Sequence, residues 1–352
     1  MKKIFTFALI FASISIYAQD IVVVEEVESE KIIDLKKFSF SGSVDTYFRT
    51  NIGAPDIEGV APGTSFANLP GFALGMANVI ASYDGEKVGF VADLVYGPRG
   101  TDATFMSPMY SATGDIINQL YVYWNVTDNV TVTMGNFNTF LGYEVISPVG
   151  NFNYSTSYLF SYGPFSHTGL KADFTLSDDF SLMLGVFNQT DMTEFNPTGK
   201  YSFGAQLGYK GQYLNFLTDD GAFEIDYTGG FNLTDTFYLG LNAAYYDNDG
   251  NNFAGVDLYP QYTFSDSFAL GLRAEYFTQE GEMSAIGTPV GPDMDSNVFA
   301  ATLTGSFSIK SLTIKPELRI DSASEDSAYF LNDDMMPTKS LSSFVLAAIY
   351  AF

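Results

Sequence analysis

The 352-residue chain has 16 basic and 41 acidic residues, a formal net charge of −25, yet only 16% of it is charged and another 16% is aromatic, with 33 Phe, 23 Tyr and one Trp. That composition fits a soluble α/β enzyme poorly and an all-β membrane wall well. With no cysteine and a single histidine, His167, neither disulfides, thiolate metal sites nor multi-histidine clusters can form, and the acidity disfavours nucleic acid as a partner.

The N-terminus reads as a secretory signal peptide over residues 1–18: Lys2 and Lys3, an apolar run from Ile4 to Tyr17, and Ala18, after which cleavage is expected. Loss of the two lysines leaves 14 basic against 41 acidic residues, a net charge of −27. Residues 19–37, dense in charge after Ile21–Val24, form a periplasmic tether or plug, with the solvated tether preferred.

From Phe38 to the end, residues 38–352, apolar and polar residues alternate with a period of two, the pattern of strands with one wet and one apolar face. The expected strands lie near 38–50, 71–83, 87–96, 115–126, 130–137, 166–176, 180–188, 200–209, 212–218, 222–233, 237–246, 254–264, 268–277, 297–309, 312–321 and 340–352. Short turns at Asp84-Gly85-Glu86, Asp128, Ser177-Asp178-Asp179, Lys210-Gly211, Asp235, Asp266 and Lys310-Ser311 alternate with mostly longer loops near 51–70, 97–114, 145–162, 189–199, 278–296 and 322–339. Two connections on the long-loop side are short, at Asp219-Asp220-Gly221 and Asp247–Asn252, the second a polar hairpin tip with Gly250 in a left-handed turn. Four of the turns share one form: apolar, Ser or Thr, Asp, small polar, apolar. In each, the Asp side chain is expected to bond the turn amides.

The fold class is therefore all-β, a transmembrane antiparallel up-and-down β-barrel of about 16 strands (14–18 in range), with short periplasmic turns and long extracellular loops. Trp124, Phe174, Phe180, Phe231, Phe237, Phe264, Phe268 and Phe307, apolar-face residues near short turns, form an aromatic girdle. The last strand alternates back from a terminal aromatic, so Phe352 and Tyr350 read as an assembly signal for the barrel-assembly machinery. Outer-membrane lipids are the expected surroundings and the bacterial outer membrane the location; a homo-oligomer is compatible with such a wall.

The opposite face gives the candidate functional residues. Asp45, Arg49, Asp93, Lys171, Asp173, Lys210, Glu224, Asp226, Asp257, Arg273, Glu275, Lys315, Glu317, Arg319 and Asp321 are placed on the lumen, where such charges set ion preference. Tyr47, Tyr121, Tyr123, Tyr238, Tyr246 and Tyr259 also point inward, as lumen filling in preference to a sugar-stacking track. No catalytic, cofactor or metal residues are assigned. Adjacent Ser166 and His167 point to opposite faces and cannot form a hydrolase pair on the outer wall.

Gly135-Asn136-Phe137-Asn138-Thr139-Phe140-Leu141-Gly142-Tyr143-Glu144, then Asn151-Phe152-Asn153-Tyr154-Ser155 and Phe165-Ser166-His167-Thr168-Gly169-Leu170-Lys171, resemble the OmpL-like β-barrel porins common in Bacteroidetes-type bacteria. The resemblance covers about a tenth of the chain and implies a barrel with a porin role, without a mapped site. Residues 145–162 are expected as an ordered surface loop, in preference to a constriction folded into the lumen.

The expected function is passive diffusion of small hydrophilic solutes or ions with a modest cation preference. Two alternatives share the same wall: a hydrophobic-solute channel, marked by a gap in the wall, and a nonconducting adhesin or structural barrel, marked by a blocked lumen.

Overall fold

In a computed structural model, residues 35–104, 116–281 and 296–352 are described. The signal segment, residues 19–34 of the leader and nearly all of the acidic loop 278–296 lie outside them. Leu35–Lys37 form one 3-10 turn.

Sixteen strands are present among the described residues: β1 Phe38–Ile52, β2 Gly71–Asp84, β3 Val88–Tyr96, β4 Ile117–Thr127, β5 Val130–Asn138, β6 Ser166–Thr175, β7 Phe180–Phe187, β8 Ser202–Tyr209, β9 Gln212–Asp219, β10 Ala222–Asn232, β11 Phe237–Asn248, β12 Asn251–Ser265, β13 Phe268–Glu280, β14 Ser296–Ile309, β15 Leu312–Leu331 and β16 Pro337–Ala351. Each pairs antiparallel with its sequence neighbour, and β1 pairs with β16, so the sheet closes. Closure removes the free edges that an apolar sheet would otherwise expose.

Alternation is visible in the burial. Along β16, Leu341, Ser343, Val345, Ala347 and Ile349 are buried inward, while Leu346 and Tyr350 are exposed outward. The aromatic girdle lies beside the short turns, where Phe264, Phe268 and Phe307 stack in a ladder with centroid spacings of 5.3 and 4.6 Å, and Phe180 packs on Tyr209 at 4.5 Å.

The four related turns close differently from the expectation. Their hydroxyls, rather than the Asp carboxylates, accept the turn amides: Ser177 Oγ accepts from Asp179 and Phe180 N (3.3 and 3.1 Å), Thr234 Oγ1 from Thr236 and Phe237 N (3.3 and 3.0 Å), Thr127 Oγ1 from Asn129 N (3.2 Å) and Ser265 Oγ from Ser267 N (3.4 Å). The hydroxyl stands at the start of the turn, where a one-carbon side chain reaches amides two and three residues ahead.

One expected loop holds a helix and another is shorter than expected. Residues 97–114 include a helix, α1 (Pro98–Ala103), with proline at its first position, and β15 runs on to Leu331 through what was read as loop 322–339. The seam is tied at its inner end by Gly42 and Phe352, whose backbones exchange two hydrogen bonds of 3.0 Å.

Ser177→Ala and Thr234→Val should each destabilise the barrel by about 1 kcal/mol, the usual net worth of a hydrogen bond, whereas Asp178→Asn and Asp235→Asn should be near neutral. Guanidinium unfolding in detergent checks this contrast.

Candidate functional site: a loop inside the barrel

Between β5 and β6 the chain from Thr139 to Phe165 turns into the barrel. This corrects the expectation of a surface loop over 145–162. Thr139 N donates to Phe165 O at 2.9 Å and closes the neck, beyond which the loop meets the inner faces of β10–β16 and β1. Its first turn is bonded to β10 and β11: Gly142 N donates to Asp226 Oδ1 (3.0 Å) and Tyr143 N to Asn242 Oδ1 (3.2 Å). The Tyr143 ring stacks on Tyr259 with centroids 4.2 Å apart.

The centre of the loop is held by charge. Arg273 Nη1 donates to Glu144 Oε1 (2.7 Å) and to Ser155 O (2.6 Å), and its Nη2 to Thr156 O (3.2 Å). Arg319 grips Asp321 through Nε and Nη2 (2.9 and 2.8 Å) and donates through Nη1 to Thr156 O (2.8 Å). Glu317 accepts from Tyr154 N (2.8 Å) and Ser155 N (3.2 Å), and Glu275 from Leu159 N (3.0 Å). Lys315 Nζ donates to Pro148 O (3.3 Å) and Asn151 O. A short helix, α2 (Tyr158–Tyr162), capped by Ser157 Oγ on Phe160 N, presents Tyr158, Leu159 and Tyr162 to Phe253, Phe277 and Val298 of the wall.

Tyrosines complete the anchoring. Tyr154 OH donates to Asp45, and Tyr158 OH to Asp321 Oδ1 at 3.1 Å. Burial, followed by the facing carboxylate, holds both loop phenols well above their ordinary pKa, so they remain donors at any physiological pH.

The candidate residues thus divide by what they touch. Asp45, Asp226, Arg273, Glu275, Lys315, Glu317, Arg319 and Asp321 contact the inner loop and are buried. Arg49, also buried, donates to Val60 O (3.3 Å) in the loop after β1. Asp93 accepts from Asn78 and Asn118 along the wall, and Asp257 from Tyr259 OH. Glu224 is also buried, on the same strand as Asp226. Only the Lys171–Asp173 pair, 3.0 Å apart with side chains 24% and 42% exposed, meets solvent appreciably. Lys210 is a correction: it occupies the β8–β9 turn at φ 49° and pairs with Asp179 at 3.4 Å, off the lumen face. Most of these charges are packed against other protein groups.

His167 is part of that filling. It lies between the rings of Phe140 and Phe187, with Nε2 3.0 Å from Thr139 Oγ1. Below the loop a cavity of about 370 Å³ is lined by Tyr143, Phe152, Gln261, Ser306, Thr313 and Lys315 among others.

Sequence reasoning missed the loop's own anchors, Glu144, Tyr154 and Ser155. A signal for them exists in the wall: Gly240, Gly255 and Gly271 occupy inward positions, and a side-chain carbon there would meet Tyr143 at 2.5 Å, Leu159 at 2.7 Å and Phe152 at 2.4 Å. Glycines on the inner face mark where another segment approaches closely.

Residues 37–352 match the family described as "Putative beta-barrel porin-2, OmpL-like". The chain belongs to this family. It is an outer-membrane β-barrel of the porin type. Similar solved structures include the outer-membrane channel DcaP of Acinetobacter baumannii (12% identity, TM-score 0.61, covering 90% of this chain and 97% of that one) and OmpF of Salmonella typhi in complex with daunomycin (9%, 0.58, 91% and 99%). An anion-selective porin from Comamonas acidovorans is also similar (13%, 0.56, 90% and 99%). At these identities the likeness is one of fold. No curated protein matches the chain in sequence.

Replacing residues 141–163 with a short Gly-Ser link should leave the barrel closed, because Asn138 and Ser166 are already paired across β5 and β6. Single-channel conductance should rise several-fold while the heat-modifiable gel shift persists. Arg273→Ala, which strands Glu144 in the interior, should cost about 3–5 kcal/mol in guanidinium unfolding.

Proposed function

We propose that this family member is a diffusion channel for small hydrophilic solutes or ions, with a modest preference for cations and an aperture set by the inner loop. The observation that carries the reading is the loop itself: a closed porin-type barrel narrowed from within by a segment bonded to the wall at many points. The polar cavity beneath the loop and the solvent-exposed Lys171–Asp173 pair support a wet path on the periplasmic side. This favours a channel over an enzyme.

The cation preference rests on charge outside the packed interior. Exposed acids at the loop ends, among them Asp56, Glu58, Asp249, Asp333 and Asp334, face few bases there, and Lys200 is already paired with Asp220. They give the outer mouth a negative potential that concentrates cations and weakens as salt rises. The anion-selective relative shares only the fold, and selectivity lies in side chains that fold does not specify.

Reversal potentials under a salt gradient in a planar bilayer test this reading; an anion-selective wild type would overturn it. Neutralising Asp56, Glu58, Asp333 and Asp334 together should reduce the preference. Glu224→Gln with Asp226→Asn, which alters a loop anchor, should change conductance more than reversal potential.

Assembly is the second part of the proposal. Phe352 and Tyr350 are about half exposed on the outer face of the closing strand, as a recognition signal for the assembly machinery requires. Phe352→Asp should lower the amount of protein at the cell surface while leaving the conductance of the assembled fraction unchanged. The same apolar wall is suited to lipid and to a second copy of the chain, and sedimentation in detergent reports the oligomeric state.

A further inference from the structure

The cavity beneath the inner loop, about 370 Å³ in volume, lies between the loop tip and inward positions of β12, β14, β15 and β16 at the short-turn end of the barrel. Its roof is fixed by the loop's own bonds. Asn151 Oδ1 accepts from Val145 N (2.8 Å) and its Nδ2 donates to Val145 O (2.6 Å), while Gly150 N donates to Ser147 O (3.1 Å). Lys315 Nζ ties the tip to β15 through Pro148 O (3.3 Å) and Asn151 O. A cavity shaped in advance spends little ordering when a solute enters.

Part of the lining is aromatic. Phe152 lies against Gly271 of β13, where a side-chain carbon would meet its ring carbons at 2.4, 2.6 and 3.0 Å. The glycine lets the ring lie along the wall, and the same half-buried ring borders the cavity. Other lining groups are polar and uncharged. Ser306 of β14 and Thr313 of β15 point inward and are half-buried, and among the described residues neither hydroxyl has a protein hydrogen-bond partner. Gln261 of β12 adds an amide, which both donates and accepts. None of the lining residues is acidic. Lys315, the one base among them, is 4% exposed and gives its ammonium to the loop carbonyls.

The matching solute has an apolar face, a rim of hydroxyls and no charge. A pyranose ring has this form: its axial C–H bonds gather on one face, and its hydroxyls spread from the edge. We propose that the cavity binds a neutral pyranose sugar, with the C–H face on Phe152 and the hydroxyls bonded to Ser306, Thr313 and Gln261. Roughly 150 Å³ holds a benzene ring, so the space takes one hydroxylated six-membered ring with room for part of a second. The proposal rests on the reading of the barrel as a diffusion channel and names a class of solute for it.

The test uses the full-length protein in dodecyldimethylamine oxide, a detergent without a sugar head, and saturation-transfer NMR of methyl glucoside and methyl galactoside. Sorbitol is the open-chain counterpart, with the hydroxyls but no rigid face, and glucuronate is the charged one. Saturable binding of at least one glycoside is expected, several-fold tighter than that of sorbitol and no weaker than that of glucuronate. Phe152→Leu, which keeps bulk but removes the aromatic face, should weaken it several-fold, and Ser306→Ala and Thr313→Val a few-fold each. Ser306→Trp should abolish it, because the residue faces the cavity and bonds no part of the loop, so the indole fills the space while every loop anchor stays. The heat-modifiable gel shift reports that each variant is a closed barrel. No saturable binding of either glycoside, equal binding of sorbitol, tighter binding of glucuronate or unchanged binding in Ser306→Trp overturns the proposal. Because no current is read, a conducting barrel that binds neither glycoside removes this site and leaves the channel reading. A barrel that binds a glycoside but does not conduct keeps the site and removes the channel reading.

Discussion

The interior of this barrel depends on the pairing of buried charge. A closed sheet with polar residues at every second position could hold water, and then its charges would need no protein partners. Here Arg273, Arg319, Glu275, Glu317 and Asp321 are almost wholly removed from water, so each demands compensation from its surroundings. The inner loop supplies it. Glu144 pairs with Arg273, backbone carbonyls of residues 155 and 156 accept from the two arginines, and backbone amides of residues 154, 155 and 159 donate to Glu317 and Glu275. Wall and loop each bond groups that would otherwise need water as a partner.

Most of the charged anchors lie on β1 and on β10–β16, with Arg99 of α1 bonding the loop from the other side. The other side is filled by a separate apolar group, Phe137, Leu141, Met183, Phe187 and Leu217, with Tyr121 and Phe140 packed against it. The buried charges on β13 and β15 fasten the loop to the wall.

Much of the wall was legible in the sequence. Period-two alternation, short turns and terminal aromatics identify sixteen strands, and most of their boundaries agree to within a few residues. What alternation reports is which face a side chain occupies, not what lies against it. Arg273 reads the same whether it meets water or Glu144, 129 residues away in the chain. For that reason a surface loop was preferred to one folded into the lumen, although inward glycines at 240, 255 and 271 recorded its approach. The turns show a similar limit: Ser177 and Asp178 are both plausible acceptors by residue type, and only the direction of their side chains separates them. At α1 and the far end of β15, local propensity was overruled by packing on β2 and pairing with β16.

The seam between β1 and β16 bears on how the molecule is made. Its hydrogen bonds join Gly42 to Phe352, the last residue of the chain, and the register runs from Ser43 with Ala351 to Ile52 with Ser342. Every other strand pairs with one that precedes it by a short connection or by a loop, whereas this pairing spans nearly the whole chain length. Contacts of such separation carry the greatest loop-closure entropy and form late. The edge of β1 therefore waits longest for its partner, since every other strand has a neighbour close behind it in the chain.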